Sequence, residues 1–134
     1  MRTDPFDGSR TRHVLLVDDH APTLAAITAL LGLEQPGIEI VGTARNSINA
    51  LRLASDVAPD VVVLDLDLDG EDGLELIPAL TLKCGAAVII LTSSNDPQKR
   101  RHGLAAGARA FISKYAPSDE LIAAILAVQP KNVE

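Results

Sequence analysis

Short apolar runs recur along the chain, and a longer stretch of helical character follows each of them. Three of these runs, VLLV, VVVL and VIIL, lack the polar alternation of a strand with one wet face. Parallel strands that are buried on both faces have this pattern, and they need helical crossovers between them. The sequence therefore predicts five strand–helix units in an open parallel sheet with helices on both faces. The five predicted strands are 13–17, 38–43, 61–65, 87–93 and 108–114.

The expected helices have recognisable starts and stops. Pro22 suits the first turn of the first helix, and Ser47 is placed to cap the second. Pro78 lies inside the third helical stretch, LELIPALTL, where it removes a hydrogen bond and predicts a bent or short helix. Gly107 is expected to close the fourth helix, and Pro117 lies near the start of the fifth.

The chain length and composition predict one domain. A chain of 134 residues, 47% of them hydrophobic, can bury a core without disulfides or metals. Residues 1–12 are polar and contain Pro5 and Gly8, so we expect a loosely held extension there. The domain is expected to span residues 13–128, with residues 129–134 as a tail or the start of a linker.

Charge and hydropathy exclude several classes of function. A formal charge of −6 repels nucleic-acid phosphates, and three aromatic residues are too few for base stacking, so we expect no direct nucleic-acid binding. No apolar run approaches the roughly 20 residues that span a bilayer. The single cysteine, Cys84, has no internal disulfide partner, and the N-terminus lacks the apolar core of a secretory signal. A cytoplasmic protein without membrane contact is expected.

Reactive side chains follow the predicted strands. Asp18 and Asp19 follow the first strand, Asp65 ends the third, Thr92 belongs to the end of the fourth, and Lys114 to the end of the fifth. Ligands of such sheets bind at the carboxyl ends of the strands. If the first and third strands are neighbours, the three carboxylates repel unless a hard cation such as Mg²⁺ or Mn²⁺ lies among them. The added hydroxyl and ammonium groups suit a phosphoryl group.

Taken in order, these motifs resemble those of the receiver domains of two-component response regulators. The chain presents LLVDDH, VVVLDLDLDGEDGLELI, VIILTSS and GARAFISK, and the resemblance runs from about His13 to Val128. The last motif and the helix after it are most similar to receivers of the NarL/FixJ type. The resemblance implies a flavodoxin-like (βα)5 fold, a doubly wound five-stranded parallel sheet with strand order 2-1-3-4-5.

The resemblance also implies a role for each site residue. Asp65 would be the phosphoacceptor, Thr92 the hydroxyl that senses the phosphate, and Lys114 its cationic partner. Phe111 would be the aromatic switch residue on the fifth strand. The expected metal ligands are Asp18, Asp19, Asp65 and the backbone carbonyl of Asp67, while Asp67 and Ser94 would tune the lifetime of the phosphoryl group.

As a receiver, the chain would be a phosphoprotein of signal transduction rather than a turnover enzyme. It would catalyse only its own phosphorylation and dephosphorylation. A sensor histidine kinase or a phosphotransfer protein would donate the phosphoryl group in a phosphorelay. Phosphorylation would change partner or homodimer contacts on the fourth helix, fifth strand and fifth helix, with transcription as the expected output.

Two positions depart from the family pattern, and two other functions compete. Asp69 and Tyr115 stand where receivers commonly have proline, so the resemblance does not fix the loop shape near either residue. Asp65 and Asp67 also resemble the nucleophile and general acid/base of haloacid-dehalogenase-type phosphatases. Against that hydrolase, two strand–helix units and an acidic pair precede Asp65. The third alternative is a receiver-like interaction module whose pocket is idle.

Several other polar residues are expected to be structural. His20 is assigned to an exposed loop rather than to a metal, and KRRH, residues 99–102, to a solvated helix face. Asp72 and Gly73 are expected to form a turn that leads into a helix.

Overall fold

The computed structural model describes residues 11–32 and 36–131. Most of the predicted extension, residues 1–10, and the end of the tail, residues 132–134, lie outside this part. The first half contains β1 (Arg12–Val17), α1 (Ala21–Gly32), β2 (Ile38–Ala44), α2 (Ser47–Val57) and β3 (Val61–Leu64). The second half contains β4 (Asp67–Leu68), β5 (Glu71–Asp72), a 3-10 helix (Gly73–Leu76), a π-helical turn (Ala79–Lys83), β6 (Ala87–Thr92), α3 (Pro97–Ala106), β7 (Ala110–Ser113) and α4 (Ser118–Leu126).

The main sheet has five parallel strands in the order β2-β1-β3-β6-β7. Counting only these five strands, this is the order 2-1-3-4-5, so the expected doubly wound α/β fold is confirmed. Val17 at the end of β1 pairs with Leu64 at the end of β3, and Thr92 at the end of β6 pairs with Ser113 at the end of β7. These registers bring the carboxyl ends of the strands, and the residues that follow them, to one edge of the sheet.

Alternate residues of the strands face two apolar layers. On one face, buried side chains of α1 and α4 cover the sheet, and on the other face α2 and the segment after β5 cover it. Both faces of the central strands are therefore dry, which explains why their sequences lack polar alternation. The residues of the first layer include Val14, Leu16, Val61, Val63, Ile89, Leu91, Leu24, Leu31, Leu121 and Ile125. Those of the second include Leu15, Val17, Val62, Leu64, Val88, Ile90, Ala50, Ala54, Leu76 and Leu80.

The helix ends follow the expected chemistry with one correction. Asn46, not Ser47, caps α2, because the Asn46 side chain accepts a hydrogen bond from the Asn49 N–H at 2.9 Å. The prediction of Ser47 as the cap was wrong, since it is the first helical residue. Asp96 caps α3, and Gly107, at φ 122°, ends it as predicted. No helix in the described residues has the length and apolar character needed to cross a membrane.

The third helical stretch is irregular, and Pro78 lies inside it. Gly73–Leu76 is a 3-10 helix, Ile77 and Pro78 keep right-handed helical angles, and Ala79–Lys83 is a π-helical turn. Proline supplies no N–H to the helix, so the hydrogen-bond pattern changes around it. The Asp72 carboxylate accepts the Leu74 N–H at 3.0 Å and caps the 3-10 helix. The expectation of a turn and helix entry at Asp72 and Gly73 is therefore confirmed.

A buried carboxylate organises the opposite, amino-terminal edge of the sheet. Asp60 is only 4% exposed, and it accepts the His13 N–H and the Lys131 N–H, both at 2.7 Å. The His13 ring nitrogen Nδ1 lies 3.1 Å from the same carboxylate. Arg12 adds a hydrogen bond to the Val128 carbonyl at 3.0 Å. These contacts fasten the chain after α4 to the base of β1 and β3.

Candidate functional site

Backbone pairing continues one residue past the strands and positions the site. The Asp65 N–H donates to the Val17 carbonyl at 2.9 Å, so Asp65 lies beside Asp18. The Lys114 N–H donates to the Thr92 carbonyl at 2.9 Å, so these two residues are also adjacent. The extended ladders therefore bring together the acids and the hydroxyl and ammonium groups that follow different strands.

Three carboxylates converge at this edge. Asp18, Asp19 and Asp65 each offer an oxygen, and these atoms all lie within 4.8 Å of one another. Asp18 and Asp65 are buried, at 3% and 5% exposure, while Asp19 is partly exposed. Two buried negative charges this close require a cation, because water cannot solvate them fully.

The Lys114 ammonium lies between the two buried acids. Its Nζ donates to Asp18 Oδ2 at 2.7 Å and to Asp65 Oδ2 at 2.9 Å. Burial by itself lowers the pKa of Lys114, but hydrogen bonds and charge attraction from Asp18 and Asp65 outweigh it and raise the pKa above its usual 10.5. Lys114 is therefore a fixed positive charge at neutral pH.

The donor set fits a hard divalent cation. Carboxylate oxygens are the ligands that Mg²⁺ prefers, and the partly exposed Asp19 leaves room for the waters that Mg²⁺ retains. Two backbone donors orient the buried acids, since the His20 N–H reaches Asp18 Oδ1 at 2.9 Å and the Asp67 N–H reaches Asp65 Oδ1 at 3.2 Å. Within residues 11–32 and 36–131, this is the one such group of three potential ligands. Asp18, Asp19 and Asp65 form the acidic cluster typical of a receiver magnesium site.

The predicted switch residues Thr92 and Phe111 lie at the end of β6 and within β7. Thr92 is 2% exposed, and its Oγ1 accepts the Ser94 N–H at 3.3 Å. Phe111 is half-buried, and the Arg100 guanidinium carbon lies 5.9 Å from the centre of its ring.

The KRRH face is exposed as expected, yet Arg100 also donates to the Phe111 carbonyl at 3.3 Å. His20 is exposed as well, with its ring nitrogen 2.6 Å from Thr23 Oγ1.

The loop after Asp65 is a tight hairpin. Asp67 pairs with Asp72 and Leu68 pairs with Glu71, and the two turn residues between them have positive φ angles, 48° at Asp69 and 87° at Gly70. Two-residue hairpin turns of type I′ need positive φ at both central positions, and Asp-Gly is a favoured pair for them. The Asp-Gly pair was a signal for this hairpin that the sequence analysis did not use.

Contacts outside the predicted residue set also shape the site. The Arg45 guanidinium donates to the Asp19 carbonyl at 3.0 and 3.2 Å, which ties the acidic pair to the end of β2. The Glu71 carboxylate binds Ser47 at the start of α2. A methyl group on Gly73 would lie 2.8 Å from the Asp65 carbonyl oxygen, so only glycine fits there. Nothing in the local sequence indicates the first two contacts, because they join separate elements.

A family model that matches residues 14–126 describes the response regulator receiver domain. The chain belongs to this family. Receiver domains are signalling modules rather than conventional enzymes, and the match replaces the haloacid-dehalogenase interpretation of Asp65 and Asp67.

Individual relatives agree with this assignment. A putative transcriptional regulator of Pseudomonas aeruginosa is 40% identical over 86% of this chain and 55% of its own length. The transcriptional regulatory protein LiaR of Bacillus subtilis is 35% identical over 85% of this chain and 54% of its own. The receiver domain of the putative regulator NarL of Mycobacterium tuberculosis has a TM-score of 0.81 and 26% identity, covering 88% of this chain and 95% of that one. The expected likeness to NarL-type receivers is confirmed, and the chain spans about half the length of the curated relatives it matches.

Proposed function

We propose that this chain is a phosphoacceptor in which Asp65 takes up a phosphoryl group with Mg²⁺ or Mn²⁺. The observation that carries the proposal is the Lys114 ammonium between the buried carboxylates of Asp18 and Asp65, 2.7 and 2.9 Å away. Such an arrangement places fixed positive charge beside an acceptor oxygen. A phosphoryl group in transfer needs positive charge and hydrogen-bond donors more than covalent help.

The chemistry begins with a nucleophilic oxygen of Asp65. It attacks the phosphorus of a phosphohistidine on a sensor histidine kinase or a phosphotransfer protein. A P–O bond forms, the P–N bond breaks, and its electron pair returns to the donor's imidazole. Lys114 and the Thr92 hydroxyl then hold the phosphoryl oxygens. Water later attacks the phosphorus, the P–O bond to Asp65 breaks, and inorganic phosphate leaves with the carboxylate restored. The side chains of Asp67 and Ser94 tune the rate of this step.

The metal ligands in this proposal are the Asp18, Asp19 and Asp65 carboxylates and the backbone carbonyl of Asp67. When bound, Mg²⁺ neutralises negative charge on the phosphoryl oxygens and on the clustered acids. The closeness of the three carboxylates supports this ligand set. The hydrogen bond from the Asp67 N–H to Asp65 keeps the Asp67 backbone near the acceptor.

The output is a shift between two conformations. A phosphoryl group adds about two negative charges beside Thr92 and Lys114 and draws both toward it. Thr92 moves with the loop after β6, and Phe111 turns into the space that is released, away from Arg100. To move the population from 1:99 to 99:1, phosphorylation must favour the active form by about 5.5 kcal/mol.

The signal would pass to partners through the surface of α3, β7 and α4. A homodimer contact on phosphorylation and a transcriptional output are proposed, because the matched relatives are named as transcriptional regulators. The receiver is proposed to span residues 13–128 in a cytoplasmic protein, between an N-terminal extension and a tail or linker. In this role the chain performs no turnover on a separate substrate.

The experiment that tests the proposal is an NMR titration with beryllofluoride, a stand-in for the phosphoryl group, in the presence of Mg²⁺. We expect large shifts in the amide signals of Asp65, Thr92, Lys114 and Phe111, and none in Asp65→Asn. Asp56→Asn, which alters an exposed acid on α2, is the matched control and should behave like the native chain.

Two results would contradict the proposal. An unchanged spectrum with Mg²⁺ and beryllofluoride would favour an interaction module with an idle pocket. Shifts at the pocket that do not extend to Phe111 would support the acceptor but refute the switch.

A further inference from the structure

The hairpin formed by β4 and β5 connects the proposed phosphoacceptor to another element. On one side, the Asp67 N–H donates to Asp65 Oδ1 at 3.2 Å, and the Gly73 N–H donates to the Leu66 carbonyl at 2.9 Å. Leu68 anchors the hairpin in the apolar core, at 1% exposure. The position of the Asp67 backbone therefore depends on the position of the hairpin.

The other side of the hairpin holds the start of α2. Glu71 Oε1 accepts the Ser47 N–H at 2.9 Å, and Glu71 Oε2 accepts the Ser47 hydroxyl at 2.8 Å. The first N–H groups of a helix have no partner within the helix, and a carboxylate there also interacts favourably with the helix dipole. Asn46 already serves the Asn49 N–H, so Glu71 supplies a second cap from a separate element.

The turn itself offers little independent stiffness. Asp69 is exposed and has a φ of 48°, an angle that proline, held near −65°, cannot adopt. Two strands of two residues each make few hydrogen bonds, and an isolated hairpin is marginally stable. Leu68 and Glu71 are opposite each other in the pair, so their side chains leave the same face of the hairpin. Leu68 packs in the apolar layer that contains buried residues of α2, and Glu71 binds the start of that helix, so the two residues attach the hairpin to α2 by different contacts.

We propose that Glu71 is a positioning residue for the metal and phosphoryl pocket. By binding Ser47, it holds the hairpin against α2 and thereby fixes the backbone of Asp67 beside Asp65. The inference rests on the proposed function, in which the Asp67 carbonyl is a metal ligand. The sequence alone predicts no role for Glu71.

The loss of Glu71 would have different effects if it were only a helix cap and if it also positioned Asp67. If Glu71 only stabilised α2, its loss would lower the free energy of unfolding and leave the hairpin and Mg²⁺ affinity unchanged. If Glu71 positions Asp67, its loss would also loosen the Asp67 N–H in the metal-free protein and weaken Mg²⁺ binding. The two roles are therefore separable by measurements other than phosphorylation.

The experiment compares the native chain with Glu71→Ala, Ser47→Ala, the double variant and Glu75→Ala. Glu75 is an exposed acid in the neighbouring 3-10 helix, so its removal matches the charge change alone. Hydrogen exchange of the Asp67 amide is measured by NMR without metal, Mg²⁺ affinity by calorimetry, and stability by urea unfolding. Ser47→Ala removes one hydrogen bond to Glu71 without any change of charge.

We expect Glu71→Ala to weaken Mg²⁺ binding and to speed Asp67 exchange, each by about two- to five-fold, the range for an exposed charged contact. Ser47→Ala should give a smaller change in the same direction. The double variant should be no worse than Glu71→Ala, because both changes remove the same contact. Glu75→Ala should match the native chain. If Glu71→Ala fails to fold, Glu71→Gln, which keeps one acceptor oxygen, should give an intermediate effect.

Unchanged Asp67 exchange and Mg²⁺ affinity in Glu71→Ala, with lower stability, would overturn the inference and leave Glu71 a helix cap. Equal weakening of Mg²⁺ binding by Glu75→Ala would overturn it too, because charge alone would explain the effect. A native chain that binds no Mg²⁺ would refute the proposed function instead. In that case Asp67 exchange still decides whether Glu71 holds the hairpin.

Discussion

Replacing Lys114 by methionine removes the ammonium group that lies between two buried carboxylates. Methionine has a similar length and fills much of the same space, so the main loss is charge. In the metal-free protein, Asp18 and Asp65 would then face each other without the two short hydrogen bonds to Nζ. We therefore expect Lys114→Met to destabilise the metal-free fold.

The size of this loss follows from burial. Removing one member of a buried ion pair costs about 3–5 kcal/mol. The Lys114 side chain is 19% exposed, so water screens part of the loss, and we expect about 2–3 kcal/mol.

Magnesium binding should change in the opposite direction. The Lys114 ammonium and a bound Mg²⁺ would both be positive and would repel each other. Two like unit charges about 4 Å apart repel by about 1 kcal/mol even in bulk water, and Mg²⁺ carries two charges. Without the ammonium, the three carboxylates should bind Mg²⁺ more tightly by up to about 2 kcal/mol, or about thirty-fold, and by less where salt screens the repulsion. The same variant should accept a phosphoryl group more slowly, because the phosphoryl oxygens lose their cationic partner.

Urea unfolding followed by circular dichroism, in EDTA and in excess Mg²⁺, measures the stability, and calorimetry measures the affinity. The stability deficit of Lys114→Met should be large in EDTA and smaller in Mg²⁺. Lys99→Met, which changes an exposed lysine of α3, is the control and should be neutral. Native stability in EDTA together with unchanged or weaker Mg²⁺ binding would refute the reasoning.

Three further predictions concern the pH dependence of the Lys114 contribution, the glycine at position 73 and the buried carboxylate of Asp60. The pKa of Lys114 is raised above 10.5 in the folded protein. Its contribution to the free energy of unfolding should therefore be complete below pH 10.5 and be lost as the pH rises through the folded-state pKa. The free energies of unfolding of the native and Lys114→Met chains, measured in urea, should converge only above pH 10.5. Gly73→Ala should lower the free energy of unfolding in urea by about 1–3 kcal/mol and slow phosphorylation, because the added methyl group would meet the Asp65 backbone at 2.8 Å. Native stability and a native rate of phosphorylation would contradict the importance of this contact. Asp60→Asn should lower the free energy of unfolding by about 1–3 kcal/mol in the same assay, because the new amide group turns a donor toward one of the N–H groups of His13 and Lys131. Phosphorylation should be unchanged, because Asp60 lies at the far edge of the sheet. A neutral Asp60→Asn, like its exposed control Asp56→Asn, would contradict that role.

The sheet could be predicted from the sequence because its strands are buried on both faces. Runs such as VVVL and VIIL have no polar side, and this pattern alone indicates parallel strands beneath two helical layers. The irregular helix around Pro78 was predictable for a similarly local reason, since proline lacks the donor that a helix needs. The cap of α2 was less certain, because Asn46 and Ser47 are both good capping residues.

The central site residues could be predicted because each lies at the end of a strand. Topology then brings Asp18, Asp65 and Lys114 to one edge, whatever the remaining loops do. The contacts between Glu71 and Ser47, and between Arg45 and the Asp19 carbonyl, could not be predicted. They join exposed polar residues of separate elements, and such pairs leave no periodic or local signal in a sequence.

The central claim is that Asp65 receives a phosphoryl group. The most direct measurement is the intact mass of the native chain and of Asp65→Asn during incubation with acetyl phosphate and Mg²⁺, and again after the donor is removed. Asp69→Asn, which keeps a residue tolerant of positive φ in the hairpin turn, is the matched control. We predict one added phosphoryl group on the native chain and on the control, none on Asp65→Asn, and slow loss afterwards. An unmodified native chain, or equal modification of Asp65→Asn, would contradict the account.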